Sequence, residues 1–470
     1  VSVSTRTNLI INGSFETNVT GWAGTNCTVA QSAAAFLYGS KSMALTASSA
    51  AAFSASTASG TSGMPVTANT SYALQIQSKA TVTARTVTAS INWYTAAGAL
   101  ISSWTGLGAT DATTGFTQAS LVTTSPATAA FASVTIAYNT AATSEVHYVD
   151  AVFMEAATTV NTYFDGASIN ANSVVYAWTG TAYASPSTAT TYTPALSLVV
   201  KTDAPCPRVE VTITDVTPTD NVVNVWRTAD GKRQAVRGAR RWTVNGSNFV
   251  VDYETPLGRP VDYDLEIVSG VNYGAGVTTQ TVSVASDTWW IQDPLVPSSA
   301  IALNVSRQDS SLPYLTAAAV KSLEYAAAVT IVPILGSSSP VALMGQRSLA
   351  GNVDFSMFTN TATVTTQLRN LLQQTPLLLV RSNGVRNDGI PGLAYYAAAK
   401  PVEHPVTVAF GGTLTNWQLT GDLVAAPTMN VLVPVWTYGT VTALWATYQA
   451  AQTVLASKTY LDVLKSPSGA

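Results

Sequence analysis

The sequence predicts a mainly β chain built of several domains. Three observations carry that expectation. Short runs rich in Val, Thr and aromatic residues alternate apolar and polar, as in Tyr72-Ala-Leu-Gln-Ile-Gln-Ser, Val87-Thr-Ala-Ser-Ile-Asn-Trp-Tyr and Ala132-Ser-Val-Thr-Ile-Ala-Tyr. Period two over such runs marks half-buried strands. A hairpin signal, Asp230-Gly231, separates two further runs, the glycine supplying the positive φ that the turn needs. The length of 470 residues suffices for about two to four domains.

Taken in order, residues 1–165 read as one β-sandwich. It opens with Asn8-Leu-Ile-Ile-Asn-Gly-Ser-Phe-Glu and Gly21-Trp22, and its last strand is Val146-His-Tyr-Val-Asp-Ala-Val-Phe-Met-Glu. The opening resembles that of jelly-roll carbohydrate-binding modules. Residues 166–196, poor in charge and rich in Thr, Ser, Ala and Tyr, read as an extended connector. Residues 197–286 hold Arg208-Val-Glu-Val-Thr-Ile-Thr, Val222-Val-Asn-Val-Trp and Phe249-Val-Val-Asp-Tyr, which suits an immunoglobulin- or fibronectin-like sandwich. Residues 287–470 differ. Strands are expected at 323–334, 341–355, 377–381 and 406–422. A helix carries Val364, Leu368, Leu371 and Leu372 on one face and stops at Pro376. A second helix is expected near 438–456, with Val441, Leu444, Trp445, Tyr448 and Leu455 on one side.

Two stretches point to a family. Tyr163-Phe164-Asp165-Gly166 is followed by Tyr176, Trp178, Gly180 and Ser185. This resembles a signature of minor tail proteins of long-tailed actinobacterial phages, in which a Tyr-Phe-Asp-Gly turn closes a carbohydrate-binding-like sandwich. Residues 287–470 resemble the split-barrel proteins at the distal end of such tails. The parts that match are Gly345-Gln-Arg-Ser-Leu-Ala-Gly-Asn-Val, the helix, Pro376-Leu-Leu-Leu-Val-Arg and Trp417-Gln-Leu-Thr-Gly-Asp-Leu-Val-Ala-Ala-Pro. Tyr438, Tyr448 and Tyr460 echo a Thr-Tyr repeat of related tail proteins. The resemblance implies a baseplate or minor tail subunit, synthesised in a host cytoplasm and carried in the virion. It also implies a ring of three or six copies, other tail-tip and tail-tube proteins as partners, and a glycan-binding-like module facing the host envelope.

Composition agrees with such a subunit. Charged residues are 10%, against about 25% in ordinary globular chains, so the surface must be neutral and hydroxyl-rich. The 11 Trp, 19 Tyr and 11 Phe argue against disorder. A net charge of −3 gives no reason to expect nucleic acid. No run approaches the ~18 apolar residues of a membrane helix, and the first residues lack the apolar core of a signal peptide. Cys27 and Cys206 fall in different domains and are expected to be free buried thiols.

Several residues are candidates for a site. The module resemblance places one structural Ca²⁺ between Glu16 and Asp150, from the two ends of the sandwich. Ca²⁺ takes carboxylate and carbonyl oxygens, with carbonyls near Lys41 and Ser42 as further ligands. The alternative is two surface acids. Glycan contact needs displayed aromatic rings, and Trp104, Trp93 and Tyr94 are the candidates. Trp93 and Tyr94 are adjacent, so one of them faces out, and Trp104 precedes Gly106-Leu-Gly108 in a loop. Trp22 is expected inside. Arg227, Lys232, Arg233, Arg237, Arg240 and Arg241 place six of the 22 basic residues in fifteen positions with one acid, Asp230. They suggest a subunit contact or an anionic polymer, or else a solvated hairpin.

Catalysis finds little support. There are two histidines, His147 and His404, and no Gly-x-Ser-x-Gly, His-Glu-x-x-His or Cys-x-x-Cys. The expected function is scaffolding and binding rather than bond-making. Two other readings remain, a secreted or surface carbohydrate-binding adhesin and a cell-wall glycoside hydrolase, which needs only two carboxylates.

Overall fold

The computed structural model describes residues 3–304, 311–317, 319–336, 338–383, 390–407, 411–428, 438–445, 447–459 and 463. Tyr460 of the Thr-Tyr pattern and part of the expected strand 406–422 lie outside them. The chain is mainly β, with antiparallel strand pairing throughout its sheets, and divides into two compact units, Val1–Thr193 and Pro194–Ala470.

The N-terminal unit is a sandwich of two sheets. One runs Ala109–Thr110, Thr86–Tyr94, Phe131–Tyr138, Phe53–Thr57, Trp22–Thr25, with Met64–Pro65 and Leu100–Thr105 alongside. The other runs Thr117–Thr124, Ser71–Ala80, Val146–Ala156, Ser42–Ala47, Cys27–Ser32. Alternation decides which side chains meet between them. Val87, Ala89, Ile91 and Trp93 from one strand, and Val134 and Ile136 from its neighbour, are fully buried against Leu74, Ile76, Met43 and Leu45 of the opposite sheet.

Most of the segment expected to be a connector, residues 166–193, is part of this unit. Val174–Trp178 and Ser187–Tyr192 form a three-stranded sheet with Val3–Asn8, in the register Val3↔Tyr192 to Asn8↔Ser187. Residues nearly the length of the unit apart thus pair, and the division between units falls after Thr193.

The Tyr-Phe-Asp-Gly signature builds the seam. Phe164 is buried on Phe153 (ring centroids 5.1 Å apart) and beside Tyr176 (5.6 Å). Asp165 accepts from Ala167 N at 2.9 Å to close the turn. Trp178 lies over Gly166, where an added Cβ would sit 2.5 Å from the indole ring, and packs on Tyr183 at 4.9 Å. Ser185 Oγ accepts from Gly180 N at 3.0 Å and donates to Thr181 O at 2.9 Å. Arg6 clamps the seam from the first strand. It forks onto Glu155 through Nε and Nη2 (2.9 and 2.8 Å) while its guanidinium lies 5.1 Å from the Phe164 ring centroid.

The C-terminal unit has two cores. The first lies between the sheets Ala195–Lys201, Arg208–Thr214, Asn248–Asp252 and Lys232–Ala235, Asn221–Ala229, Pro260–Ser269, Gln280–Ser283, with Trp242–Val244 alongside Asn221–Ala229. The second lies between a six-stranded and a four-stranded sheet. The helix Ala362–Gln374 covers it with Leu368 and Leu371, starting where the Thr361 side chain accepts from Val364 N. The single helix expected near 438–456 is two, Tyr438–Leu444 and Tyr448–Leu455, the second capped by Thr447. Thr447 bonds Ala450 N with its hydroxyl, which favours a new start over continuation. Cys27 and Cys206 are free and buried, and burial pushes both thiols up.

Replacing Gly166 by Ala should force Trp178 off the turn. We expect roughly 1–3 kcal/mol of destabilisation, typical of overpacking, confined to the N-terminal unit and read by chemical unfolding of residues 1–193.

Candidate functional site

The outward face of the seven-stranded sheet carries hydroxyls and amides. On Thr86–Tyr94 the side chains that alternate with the core are Thr88, Ser90, Asn92 and Tyr94; Ser133 and Thr135 lie beside them on Phe131–Tyr138, and Ser56 on Phe53–Thr57. They bond one another across strands. Ser56 and Thr135 hydroxyls are 2.9 Å apart, and Ser90 and Thr105 2.9 Å. Asn92 Nδ2 donates to Ser133 at 3.2 Å and to Thr135 at 3.1 Å, and the Tyr94 hydroxyl is 3.2 Å from that of Ser133. None of these groups is charged. The lattice can meet a neutral, hydroxyl-bearing polymer with donors and acceptors in both senses, and Tyr94, half-buried beside Phe131, adds a ring at its end.

The three aromatic candidates do not share that face. Trp93 is fully buried, packed on Tyr72 at 5.5 Å, so it cannot touch a glycan. Tyr94 is the outward member of the pair. Trp104 is not in a loop: it lies on Leu100–Thr105, directly opposite Ile91, a core residue. It therefore points to the core side of the sheet, beyond the sandwich edge, and is 54% exposed there. Tyr94 and Trp104 project from opposite sides and cannot form one platform. Trp22 is buried, edge-on to Phe15 at 5.8 Å.

Glu16 and Asp150 converge on a single loop, residues 35–41. Asp150 Oδ2 accepts from Leu37 N at 2.7 Å and Tyr38 N at 2.9 Å, and its Oδ1 from Ala151 N at 2.7 Å. Glu16 accepts from Ser40 N, Ser40 Oγ and Lys41 N at 2.8–2.9 Å. A bulge after Asp150, with Ala151 at φ 51°, turns that carboxyl inward. Asp150 is fully buried, and among the described residues no cationic side chain pairs with it. Burial pushes its pKa up to about 6, and the Glu16 charge adds to the rise against three N–H bonds. Two carboxylates with no counterion suit a divalent cation in charge. Among the described residues no group of three His, Cys, Asp or Glu could hold a metal. Any ion here would take its remaining ligands from carbonyls and water, which Ca²⁺ accepts.

The clamped loop was not anticipated as a feature. It displays Phe36, Leu37 and Tyr38, each more than 40% exposed, and Tyr38 rests on Tyr163 at 4.7 Å. The run Ala33-Ala-Ala-Phe-Leu-Tyr was its only signal.

The basic cluster resolves into buried and exposed members. Arg227 is buried and holds Asp252 through Nη1 (2.6 and 2.8 Å), with Glu254 3.6 Å from Nη2. Arg237 is buried with Nε on Glu254 at 2.7 Å. Tyr263 and Tyr395 donate to the same two acids at 2.8 and 2.9 Å. These two arginines are therefore internal ties and not a contact surface. Burial opposes the Arg227 charge, but Asp252 and Glu254 outweigh it and raise its pKa. Arg233 lies 4.4 Å over the Trp226 ring and bonds Asp264. Lys232, Arg240 and Arg241 are exposed.

No family model and no curated protein matches the chain. Solved structures are similar to it. One is the CBM22-1–GH10 part of Clostridium thermocellum endo-1,4-β-D-xylanase 10B, complexed with xylohexaose, at 16% identity over 32% of this chain and 28% of that one, TM-score 0.28. Another is the CBM22-1 xylan-binding domain of Paenibacillus barcinonensis Xyn10C, at 13% identity over 33% and 96%, TM-score 0.27. A third is the enzymatically active domain of tailspike protein 4 of bacteriophage CBA120, at 18% identity over 31% and 21%, TM-score 0.24. The chain spans under a third of the first of these structures.

Arg227→Ala should cost about 3–5 kcal/mol, because it strands Asp252 as a buried charge, while Glu254 keeps Arg237. Arg240→Ala and Arg241→Ala should leave stability within about 0.5 kcal/mol. Chemical unfolding of residues 194–470 distinguishes the two classes.

Proposed function

We propose that the chain is a multi-copy structural subunit of the tail tip of a long-tailed actinobacterial phage, with its N-terminal unit presenting a glycan-binding surface. One observation carries the assembly half of this reading. Ala327–Val332 and Val341–Arg347 form a two-stranded ribbon that pairs, among the described residues, only with itself. Both its faces are apolar and exposed. Val329, Ile331 and Met344 share one face; Val332, Val341 and Leu343 share the other. No charged residue occurs from Ala327 to Gln346. Single domains in water rarely leave such a patch uncovered, and a bare two-stranded hairpin is marginal by itself. Further copies of the chain are the cover this reading supplies, in a closed ring of three or six.

The uncharged lattice around Asn92, Tyr94 and Ser133 supports the glycan half. Its hydrogen bonds fit sugar hydroxyls, and the Tyr94 ring offers a surface for the apolar face of a sugar. Such contacts are weak singly and gain through repetition around a ring. The proposed chemistry is binding, with no bond made or broken. Glu16 and Asp150 would hold Ca²⁺, which would brace the 35–41 loop by balancing two carboxylates.

Three outcomes are expected. The full chain should sediment as a discrete oligomer, and Ile331→Glu with Leu343→Glu should release monomers whose unfolding midpoint is unchanged. A wild-type chain that stays monomeric at high concentration would instead favour the adhesin reading. In pull-downs with actinobacterial cell walls, Tyr94→Ala and Asn92→Ala should lose retention about tenfold, roughly 1.4 kcal/mol, while Trp104→Ala should not; release of soluble sugar would turn the reading toward a hydrolase. Excess Ca²⁺ should raise the melting temperature of residues 1–193 above its value in EDTA, a ligand binding only the folded form, and Asp150→Asn should abolish that rise. Equal midpoints in Ca²⁺ and EDTA would remove the ion from the reading.

A further inference from the structure

His147 stands in the interior of the N-terminal unit with a carboxylate at each ring nitrogen. Nδ1 is 2.6 Å from Asp111 Oδ2, and Nε2 is 3.0 Å from Glu145 Oε1. The ring is fully buried, 4.7 Å from the Tyr138 ring centroid and 5.7 Å from that of Phe53.

Both acids are already acceptors. Asp111 takes Arg85 N on Oδ1 at 2.6 Å and the Ser78 hydroxyl on Oδ2 at 3.0 Å. Glu145 takes Arg85 Nε and Nη2 at 2.7 Å each, and Ala142 N at 2.9 Å. Each is placed as an ionised carboxylate. A neutral imidazole has one N–H and one lone pair. Whichever tautomer it chose, that lone pair would face a carboxylate oxygen at hydrogen-bond distance, leaving the ring nitrogen unsatisfied and repelled in the core. Only the doubly protonated ring satisfies both sides.

We propose that His147 is held as an imidazolium inside the folded sandwich and that losing this proton at alkaline pH unlocks one end of the unit. This inference is independent of the tail-tip reading. The cluster joins both sheets. Ser78 and His147 belong to the five-stranded sheet; Tyr138 belongs to the seven-stranded one, and Arg85 and Asp111 flank its strands Thr86–Tyr94 and Ala109–Thr110. Two cations, Arg85 and His147, face two anions, Asp111 and Glu145. The other titratable group against the ring is Tyr138, whose hydroxyl is 2.8 Å from Ser78 Oγ and whose pKa burial raises, so it remains neutral. Removing the imidazolium proton leaves the cluster with an uncompensated buried anion.

The direction of the pH response follows. Burial lowers the His147 pKa, but the hydrogen bonds and charges of Asp111 and Glu145 outweigh it, and the net shift is upward. A raised pKa gives stability that is fully present below the unfolded-state value of about 6.5. That stability is lost as pH climbs through the folded-state value. Glu145 acts oppositely. Arg85 is the main cause that draws its pKa down to about 2, so its contribution is present above its ordinary range near 4.5 and fades as pH falls toward 2. The unit should be most stable between these limits.

The full chain has two histidines, His147 and the exposed His404, so ¹⁵N-histidine labelling yields two resolvable rings. At pH 7 His147 should show both nitrogens protonated. The thermal midpoint of the N-terminal unit should fall between pH 7 and 10. His147→Gln should give a lower midpoint that is flat over that range. Asp111→Asn should move the fall to lower pH by roughly one to two units, the effect of losing one adjacent charge. A neutral His147 ring at pH 7 in the wild-type chain overturns the proposal, whether or not His147→Gln folds. So does a His147→Gln midpoint that falls with pH as the wild type does.

Discussion

Charge is scarce in this molecule, and several of its few charged groups are turned inward as pairs that tie the strands together. Arg6 with Glu155 closes the seam of the N-terminal unit. Arg85, Glu145, His147 and Asp111 pin one end of its sandwich. Arg227, Arg237, Asp252 and Glu254 stand within the C-terminal unit. Removing one partner of a buried pair is costly, whereas the pair as a whole is near break-even against apolar packing. Such pairs do less to raise stability than to make one arrangement of strands the satisfiable one.

In the C-terminal unit these ties also join its two cores. Tyr395, from the second, donates to Glu254 of the first. Arg381 is fully buried and donates from Nη1 to Pro207 O at 2.7 Å and from Nη2 to Gln292 Oε1 at 3.2 Å. Asn383 donates to Ser286 O at 3.0 Å. Two stretches that read as separate domains thus share a hydrogen-bonded junction and behave as one compact unit.

Much of the fold was legible because strand periodicity is local. The runs at Tyr72, Val87 and Ala132 are strands, and the face of Val364, Leu368 and Leu371 is a helix that ends before Pro376. Residues 166–193 did not read as part of the sandwich because Ser187–Tyr192 pairs with Val3–Asn8, and nothing local announces a partner so remote. The site was less legible still. Adjacency showed that Trp93 and Tyr94 face opposite ways, but parity alone cannot say which is inside. A shift of register between Trp93 and Tyr94 then set Trp104 against Ile91. Arg227 and Arg237 looked like a basic surface because their acids, Asp252 and Glu254, lie on a later strand or just past it. His147 gave no signal, since Asp111 reaches it only through the sheet arrangement.

The hydroxyl face of the N-terminal sandwich has one more consequence. Mobile ions weaken attraction between fixed charges over a Debye length of about 8–10 Å at physiological salt, and this face has no fixed charges to weaken. What Ser56, Ser90, Asn92, Ser133 and Thr135 offer there are short-range dipoles. A sugar bound here as proposed would be held equally well in dilute and saline surroundings, and would be told apart by the spacing of its hydroxyls and not by its charge.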